Sequence, residues 1–372
     1  MLKQLYRAYG LVILIGTFLS CRYPAPAPEP IGGGGTDTTV PNKPDTVIID
    51  TIPAKNPDSS LANTARFGNE KLFDDADLKT SKGIFAKAAD YRGRATDLTY
   101  EFVAPDDDTL EFRPFVLMVH EGAFLFGDLG NEMGKARGLA QRGYAAASIN
   151  YRLGFNGGSE QYACGGNSQE AVRAVYRAVQ DTYAAIHYFV DRAEEFGIDT
   201  RQIMLAGSSA GAITVTALVY MNEADFEALA PGITKALGRL DPKAEDSPFR
   251  VRALLTQMGY GIFRNEYINA SNAMPTVFFQ RIGDNVLPYY KGTFLSCPTY
   301  LSMEGAKLAS DQLKKFKTPF ELNYENLEGH HLSYPEEYVI ARYAGFMKRL
   351  WSQNPRQITN DAYKTVEDVE LR

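Results

Sequence analysis

Short apolar runs recur from residue 98 onward and predict strands at Leu98–Val103, Phe112–Val119, Tyr144–Asn150, Ile203–Ala206, Val251–Thr256, Thr276–Gln280 and Phe320–Glu325. Several are continuously apolar, the pattern of strands covered on both faces of a sheet. Between them the period lengthens. Val172, Val175, Val179, Ile186 and Phe189 recur at helical spacing and predict a helix over Gln169–Glu195. A second helix starts after Ser209, and a third spans Glu336–Trp351. Strands alternating with helices predict an α/β fold with a mostly parallel central sheet and helices on both faces. The stretch 220–249 breaks the alternation and reads as a small cap or a long excursion over the sheet edge.

The first 64 residues follow a different pattern. Lys3 and Arg7 precede an apolar run, Leu11–Leu19, that is short for a membrane span and has the layout of an export signal. The run ends in FLSC, which resembles a bacterial lipoprotein box. The expectation is a leader over 1–20 with lipid carried on Cys21, giving an exported, membrane-anchored lipoprotein; a plain signal on a secreted or periplasmic protein is the alternative. Residues 21–64 are rich in Pro, Gly and polar residues and cannot bury enough surface to offset their ordering entropy, so they read as a tether. Within it, Val47–Ile52 is a short extended patch without evident role. Residues 65–372 are then expected to form one catalytic-sized domain.

Composition narrows the classes. Of 372 residues, 45% are apolar and 23% charged, which excludes wholesale disorder. Thirty-nine basic against forty-five acidic side chains, a net charge of −6, argue against a phosphate-binding surface for nucleic acid. Four histidines and three cysteines, none clustered at metal-ligand spacing, imply no metal site, and no organic cofactor is implied either.

The chemistry concentrates in RQIMLAGSSAGAITVTALVY. A strand over Ile203–Ala206 runs into Gly207-Ser208-Ser209-Ala210-Gly211 and then a helix, the strand–turn–helix context of a nucleophile elbow. The glycines permit a sharp turn and place Ser209 at the helix N-terminus, as a nucleophile or merely as the helix cap. A serine hydroxyl needs a base and an acid to orient that base. Asp284 follows the strand PTVFFQ, and His330 and His331 follow the next strand in NLEGHHLSYPEEY, so serine, acid and histidine occur in that order.

With these segments in view, residues 95–351 resemble the α/β-hydrolase fold of the esterase and lipase group. VMVHEGAFLFGD resembles that family's oxyanion loop, with His120 first, Gly122 and Ala123 at the donor positions and Phe124 next; ASINYRL and GDNVLP resemble its following strand and its acid loop. The resemblance implies a serine carboxylic-ester hydrolase with Ser209 as nucleophile, His330 as base and Asp284 as orienting acid, with His331 still open as the base. Its oxyanion hole would use the N–H groups of Gly122, Ala123 and Ala210. One departure is Glu121, where the family has glycine; its side chain either anchors the loop or shapes the pocket by charge. His120 reads as a packed histidine bonding its own loop, and His187 as a helix-face histidine.

The expected partner is a small-molecule or carbohydrate ester. A carbohydrate deacetylase, a feruloyl esterase or a peptidase on the same fold are the alternatives, and a surface binding protein that keeps the fold without activity is the reading from another class. Phe124, Phe126, Tyr151, Phe155, Tyr260, Phe263, Tyr289 and Tyr290 stand either at the mouth of the site or in packing. Cys164 and Cys297 could pair in an exported protein.

Overall fold

The structure, a computed structural model, describes residues 47–51, 59–62, 64–244, 249–261, 263–352 and 354–360, with the backbone alone at 47–51, 59 and 60. The expected leader, Cys21 and most of the expected tether lie outside the described residues. Twelve strands are described: β1 Val47–Thr51, β2 Leu78–Ala89, β3 Ala95–Pro105, β4 Arg113–Val119, β5 Ala145–Ile149, β6 Ile198–Ser208, β7 Val251–Gln257, β8 Thr276–Gly283, β9 Lys291–Thr293, β10 Ser302–Glu304, β11 Phe320–Glu328 and β12 Arg356–Asn360. The helices are α1 Ser59–Ala62, α2 Met133–Ala140, α3 Ser168–Val190, α4 Ala193–Phe196, α5 Ala210–Tyr220, α6 Glu223–Leu229, α7 Ile233–Leu237, α8 Ala306–Lys315 and α9 Glu336–Trp351.

Ten strands form one sheet in the order β1-β12-β11-β8-β7-β6-β4-β5-β3-β2, and β9 and β10 pair separately. From β12 to β5 every neighbour is parallel; β1, β3 and β2 join antiparallel at the two edges. Each of the seven predicted strands lies within a strand of this sheet or overlaps one closely. Sequence reading missed β2 because its apolar residues follow no regular alternation and most of its side chains are exposed, as an outer strand with one face in water permits. A tight Asp90–Arg94 turn, closed by the Asp90 N–H on the Arg94 carbonyl at 2.8 Å, folds β2 onto β3. The patch Val47–Thr51, inside the stretch read as a tether, is the outermost strand, paired with β12.

Two apolar cores flank the sheet. One packs α3, α5 and α8 against it, with Phe102, Phe115, Phe189 and Ile213 buried; the other packs α2 and α9, with Phe279, Tyr343 and Trp351. Asn167 starts α3 by accepting a hydrogen bond from the Glu170 N–H at 3.0 Å, satisfying an orphan donor of the first turn. The helix ends at Val190, short of the expected Glu195, and a separate turn, α4, closes on Gly197 in the left-handed conformation (φ 61°). In the stretch 220–249, α6 and α7 bury Phe226 and Ile233 in the α3 core, and Tyr176 meets Phe226 edge-on at 5.0 Å. Among the described residues no helix is long and apolar enough to cross a membrane.

The strand that leads to the histidine loop is locked from one side by charge. The Glu321 carboxylate on β11 has no exposed surface, and it accepts hydrogen bonds from Arg342 Nε at 2.5 Å, from Asn323 Nδ2 at 3.0 Å and from Arg349. Burial by itself would raise its pKa, but the two guanidiniums of α9 hold it below the usual glutamate range. A depressed folded-state pKa contributes stability above the ordinary glutamate pKa that is lost as pH falls through the folded value. Removing one partner of such a buried cluster leaves charge uncompensated, so Glu321→Gln is expected to lower the unfolding free energy by roughly 3–5 kcal/mol in denaturant titration at neutral pH, with a smaller deficit in acid. An unchanged midpoint would show that the cluster contributes no net stability.

Candidate active site

The register of the sheet gathers the loops that matter. Val119, the last residue of β4, pairs with Gly207 near the end of β6; Ser208 pairs with Gln257 at the end of β7; Gly283 at the end of β8 pairs with Glu328 at the end of β11. The segments at His120, Ser209, Asp284 and His330 therefore all leave the carboxyl ends of parallel strands, where open α/β sheets bind ligands.

Ser209 sits between β6 and α5 with φ 49° and ψ −112°, a conformation that costs a non-glycine residue about 1–3 kcal/mol. Its surroundings hold it there. The Ser209 N–H donates to the Gln257 carbonyl at 2.9 Å, and its carbonyl accepts the first α5 hydrogen bond from Ile213 at 3.0 Å. Gly211 is pressed against β4 so closely that a Cβ would lie 1.9 Å from the Val119 carbonyl oxygen. The Ser209 side chain makes no capping hydrogen bond to α5. Its Oγ lies instead 2.9 Å from His330 Nε2.

The other ring nitrogen of His330, Nδ1, is 3.0 Å from each oxygen of Asp284, whose side chain is fully buried. Asp284 Oδ1 also accepts the Val286 and Leu287 N–H groups at 2.9 Å each, which fixes the carboxylate and keeps it an acceptor. The structure thus brings Ser209, His330 and Asp284 into one hydrogen-bonded line. His331 stands outside that line, exposed, with its ring centroid 5.8 Å from that of His330.

Beside Ser209, the loop after β4 runs through three successive left-handed residues, Gly122 (φ 119°), Ala123 (φ 54°) and Phe124 (φ 63°). At Gly122 a Cβ would meet the Phe126 carbonyl oxygen at 1.9 Å, so this turn admits only glycine. The N–H groups of Gly122, Ala123 and Ala210 have no hydrogen-bond partner among the described residues. His120 is fully buried; its Nδ1 donates to the Glu121 carbonyl at 2.6 Å and its ring stacks on Tyr151 at 4.4 Å. Burial lowers its pKa and keeps the imidazole neutral, in a structural place within its own loop. The Glu121 carboxylate accepts from Asn131 Nδ2 at 2.8 Å, which anchors the loop to the segment before α2; nothing in the sequence had signalled Asn131. His187 lies on α3 with Nε2 2.9 Å from Asp241 Oδ1.

The eight aromatic residues divide. Phe124, Tyr151, Phe155, Tyr260, Phe263 and Tyr289 are buried in the core, while Phe126 and Tyr290 are about half exposed. Phe124 stacks on Phe294 at 6.0 Å, three residues before Cys297. Cys297 is bonded to Cys164 with Cα atoms 5.2 Å apart. Around this link Tyr300 Oη donates to the Ala163 carbonyl at 2.7 Å, and the Phe155 ring is wholly buried. The disulfide therefore joins the loop at Cys164 to the segment whose Phe294 packs on the turn at Phe124. Among the described residues there is no group of three or more His, Cys, Asp or Glu arranged to hold a metal ion.

The BD-FAE family model matches residues 101–275, a little under half of the chain. The mostly parallel sheet with helices on both faces is the α/β-hydrolase arrangement. Esterase B1 of Culex pipiens is 31% identical over 102 residues, 27% of this chain and 18% of that protein. The probable N-octanoylanthranilate hydrolase AqdA2 of Rhodococcus erythropolis is 30% identical over 112 residues, 30% of this chain and 23% of that one. The chain thus spans less than a quarter of the length of these curated relatives. Among solved structures, Thermogutta terrifontis esterase 2 phosphoramylated by tabun superposes with a TM-score of 0.49 at 16% identity, covering 75% of this chain and 96% of that one.

Closing a loop with a sequence separation of 133 restricts the unfolded chain strongly. Reducing the Cys164–Cys297 disulfide, or replacing both residues with serine, is expected to cost roughly 2–5 kcal/mol, read as a lower thermal midpoint. An unchanged midpoint under reductant would remove the link from the account of how the loops are held.

Proposed function

We propose that this protein is a serine hydrolase of carboxylic esters that works through an acyl-enzyme. The observation that carries the reading is the hydrogen-bonded line from Ser209 Oγ through both nitrogens of His330 to Asp284. Ser209 Oγ attacks the ester carbonyl carbon while its proton passes to His330 Nε2. Nδ1–H, held on the Asp284 carboxylate, fixes the tautomer and stabilises the imidazolium that forms. The carbonyl oxygen becomes an oxyanion, for which the N–H groups of Gly122, Ala123 and Ala210 are the available donors, fixed in place before the reaction. Collapse of the tetrahedral intermediate breaks the ester C–O bond, and His330 returns its proton to the leaving alcohol. Water, deprotonated by the same imidazole, then attacks the acyl group and releases the acid.

Esters are the favoured substrate class, in keeping with the esterase among the partial relatives. The second name among them, an N-acylanthranilate hydrolase, makes an amide the next class to try. The export-like first segment and Cys21 support work outside the cell membrane with the catalytic domain on a tether, where esters on polysaccharides are accessible. Deacetylation or deferuloylation of such polymers is the carbohydrate form of the same chemistry.

Ser209→Ala is expected to lower turnover of short-chain p-nitrophenyl esters by about 10⁴-fold or more while the thermal midpoint holds, and His330→Ala to do the same. His331→Ala should retain turnover within a few-fold. Hydrolysis persisting in Ser209→Ala would overturn the reading, and a reversal of the two histidine variants would move the base to His331.

A further inference from the structure

We propose that Arg281 is a positioning residue for the catalytic histidine, clamping both ends of the His330 loop to the strand that carries Asp284; this rests on the acyl-enzyme reading above. The pairing between β8 and β11 is regular up to Arg281 opposite Glu325, then shifts, and resumes only at Gly283 opposite Glu328. Over Asn326 and Leu327 the β8–β11 pairing is therefore interrupted, immediately before the chain turns into Gly329 and His330. Past the break, the Gly329 N–H donates to the Gly283 carbonyl at 2.9 Å.

The Arg281 side chain spans that gap. Nε donates to Glu325 Oε2 at 2.7 Å, Nη1 to the Glu328 carbonyl at 2.7 Å, and Nη2 to Ser333 Oγ at 2.7 Å. Glu325 completes the frame by accepting the Ser333 N–H on Oε1 at 2.7 Å. Glu328 and Ser333 bracket the four residues Gly329 to Leu332, so one planar guanidinium, its donors in a fixed fork, holds the loop where it leaves the sheet and where it returns. The ion pair is largely shielded from water, with side-chain exposures of 15% for Arg281 and 3% for Glu325. Between the clamped ends His331 is exposed, Gly329 and His330 are half-buried, and Leu332 packs on the core beside α9. The His330 ring must keep Nε2 on Ser209 and Nδ1 on Asp284 through two proton transfers, and a displacement of about 1 Å in such a site costs on the order of 100-fold in rate.

The test uses the full chain, with Arg281→Ala, Arg281→Lys and Glu325→Gln assayed beside Ser209→Ala, active sites counted by titration and thermal midpoints recorded. Arg281→Ala is expected to lower kcat by about 10- to 100-fold with KM within about 2-fold, since ester binding does not use the clamp. Arg281→Lys, a point charge without the planar fork, should fall between alanine and wild type, and non-denaturing guanidinium chloride should restore part of the kcat lost in Arg281→Ala. A kcat per active site unchanged in Arg281→Ala, or a loss that follows only the thermal midpoint and does not respond to guanidinium, would overturn the proposal. Should Arg281→Ala fail to fold, unaltered kcat in both Arg281→Lys and Glu325→Gln would do the same. Activity surviving in Ser209→Ala would instead sink the catalytic reading on which the clamp depends.

Discussion

Everything at the candidate site depends on how closely α5 approaches β4. Gly211 touches the Val119 carbonyl so tightly that no larger residue fits, and this contact holds Ser209 in a backbone conformation that would otherwise relax. The strain leaves the hydroxyl off the helix it precedes and directs it to His330. The same approach brings the turn at Gly122–Phe124 beside the elbow, because Val119 and Gly207 are paired neighbours in the sheet. One steric constraint thus sets the places of Ser209 and of the Gly122–Phe124 turn together.

Asp284 and His330 are held differently. Asp284 is fixed by two backbone N–H groups of its own loop, whereas His330 rides on a loop after a break in strand pairing, steadied by side chains. Charge acts at two points along one face of β11. Glu321 faces the arginines of α9 within the core, and Glu325 faces Arg281 at the rim. Backbone geometry fixes Ser209 and Asp284, and side-chain ion pairs frame the loop that carries His330.

Much of this was legible in the sequence because burial on both faces writes continuous apolar runs, and the inner strands β4 to β8 and β11 carry them. The elbow was legible because Gly207 and Gly211 frame Ser209 between an apolar strand and an apolar helix. The serine, acid and histidine could be ordered by their positions after successive strands. What escaped reading had weaker signatures. β2 shows no regular apolar alternation, α2 is built largely from small and polar residues, and the apolar stripe of α8 is short among lysines. Arg281 in a strand gives no hint of a function, since its partners Glu328 and Ser333 become neighbours only when β8 and β11 align. The aromatics beside the motifs were ambiguous for a plain reason: composition near a site does not distinguish a wall from the core behind it, and six of the eight are core.

The central claim is that one side chain, Ser209 rather than its neighbour Ser208, becomes covalently acylated. Reaction with a fluorophosphonate followed by mass spectrometry of the peptide containing Gly207 to Gly211 measures this directly. The account predicts about one adduct per chain, carried on Ser209 and lost in His330→Ala at matched exposure. An adduct on Ser208, or full turnover of esters with no adduct on this peptide, would contradict it.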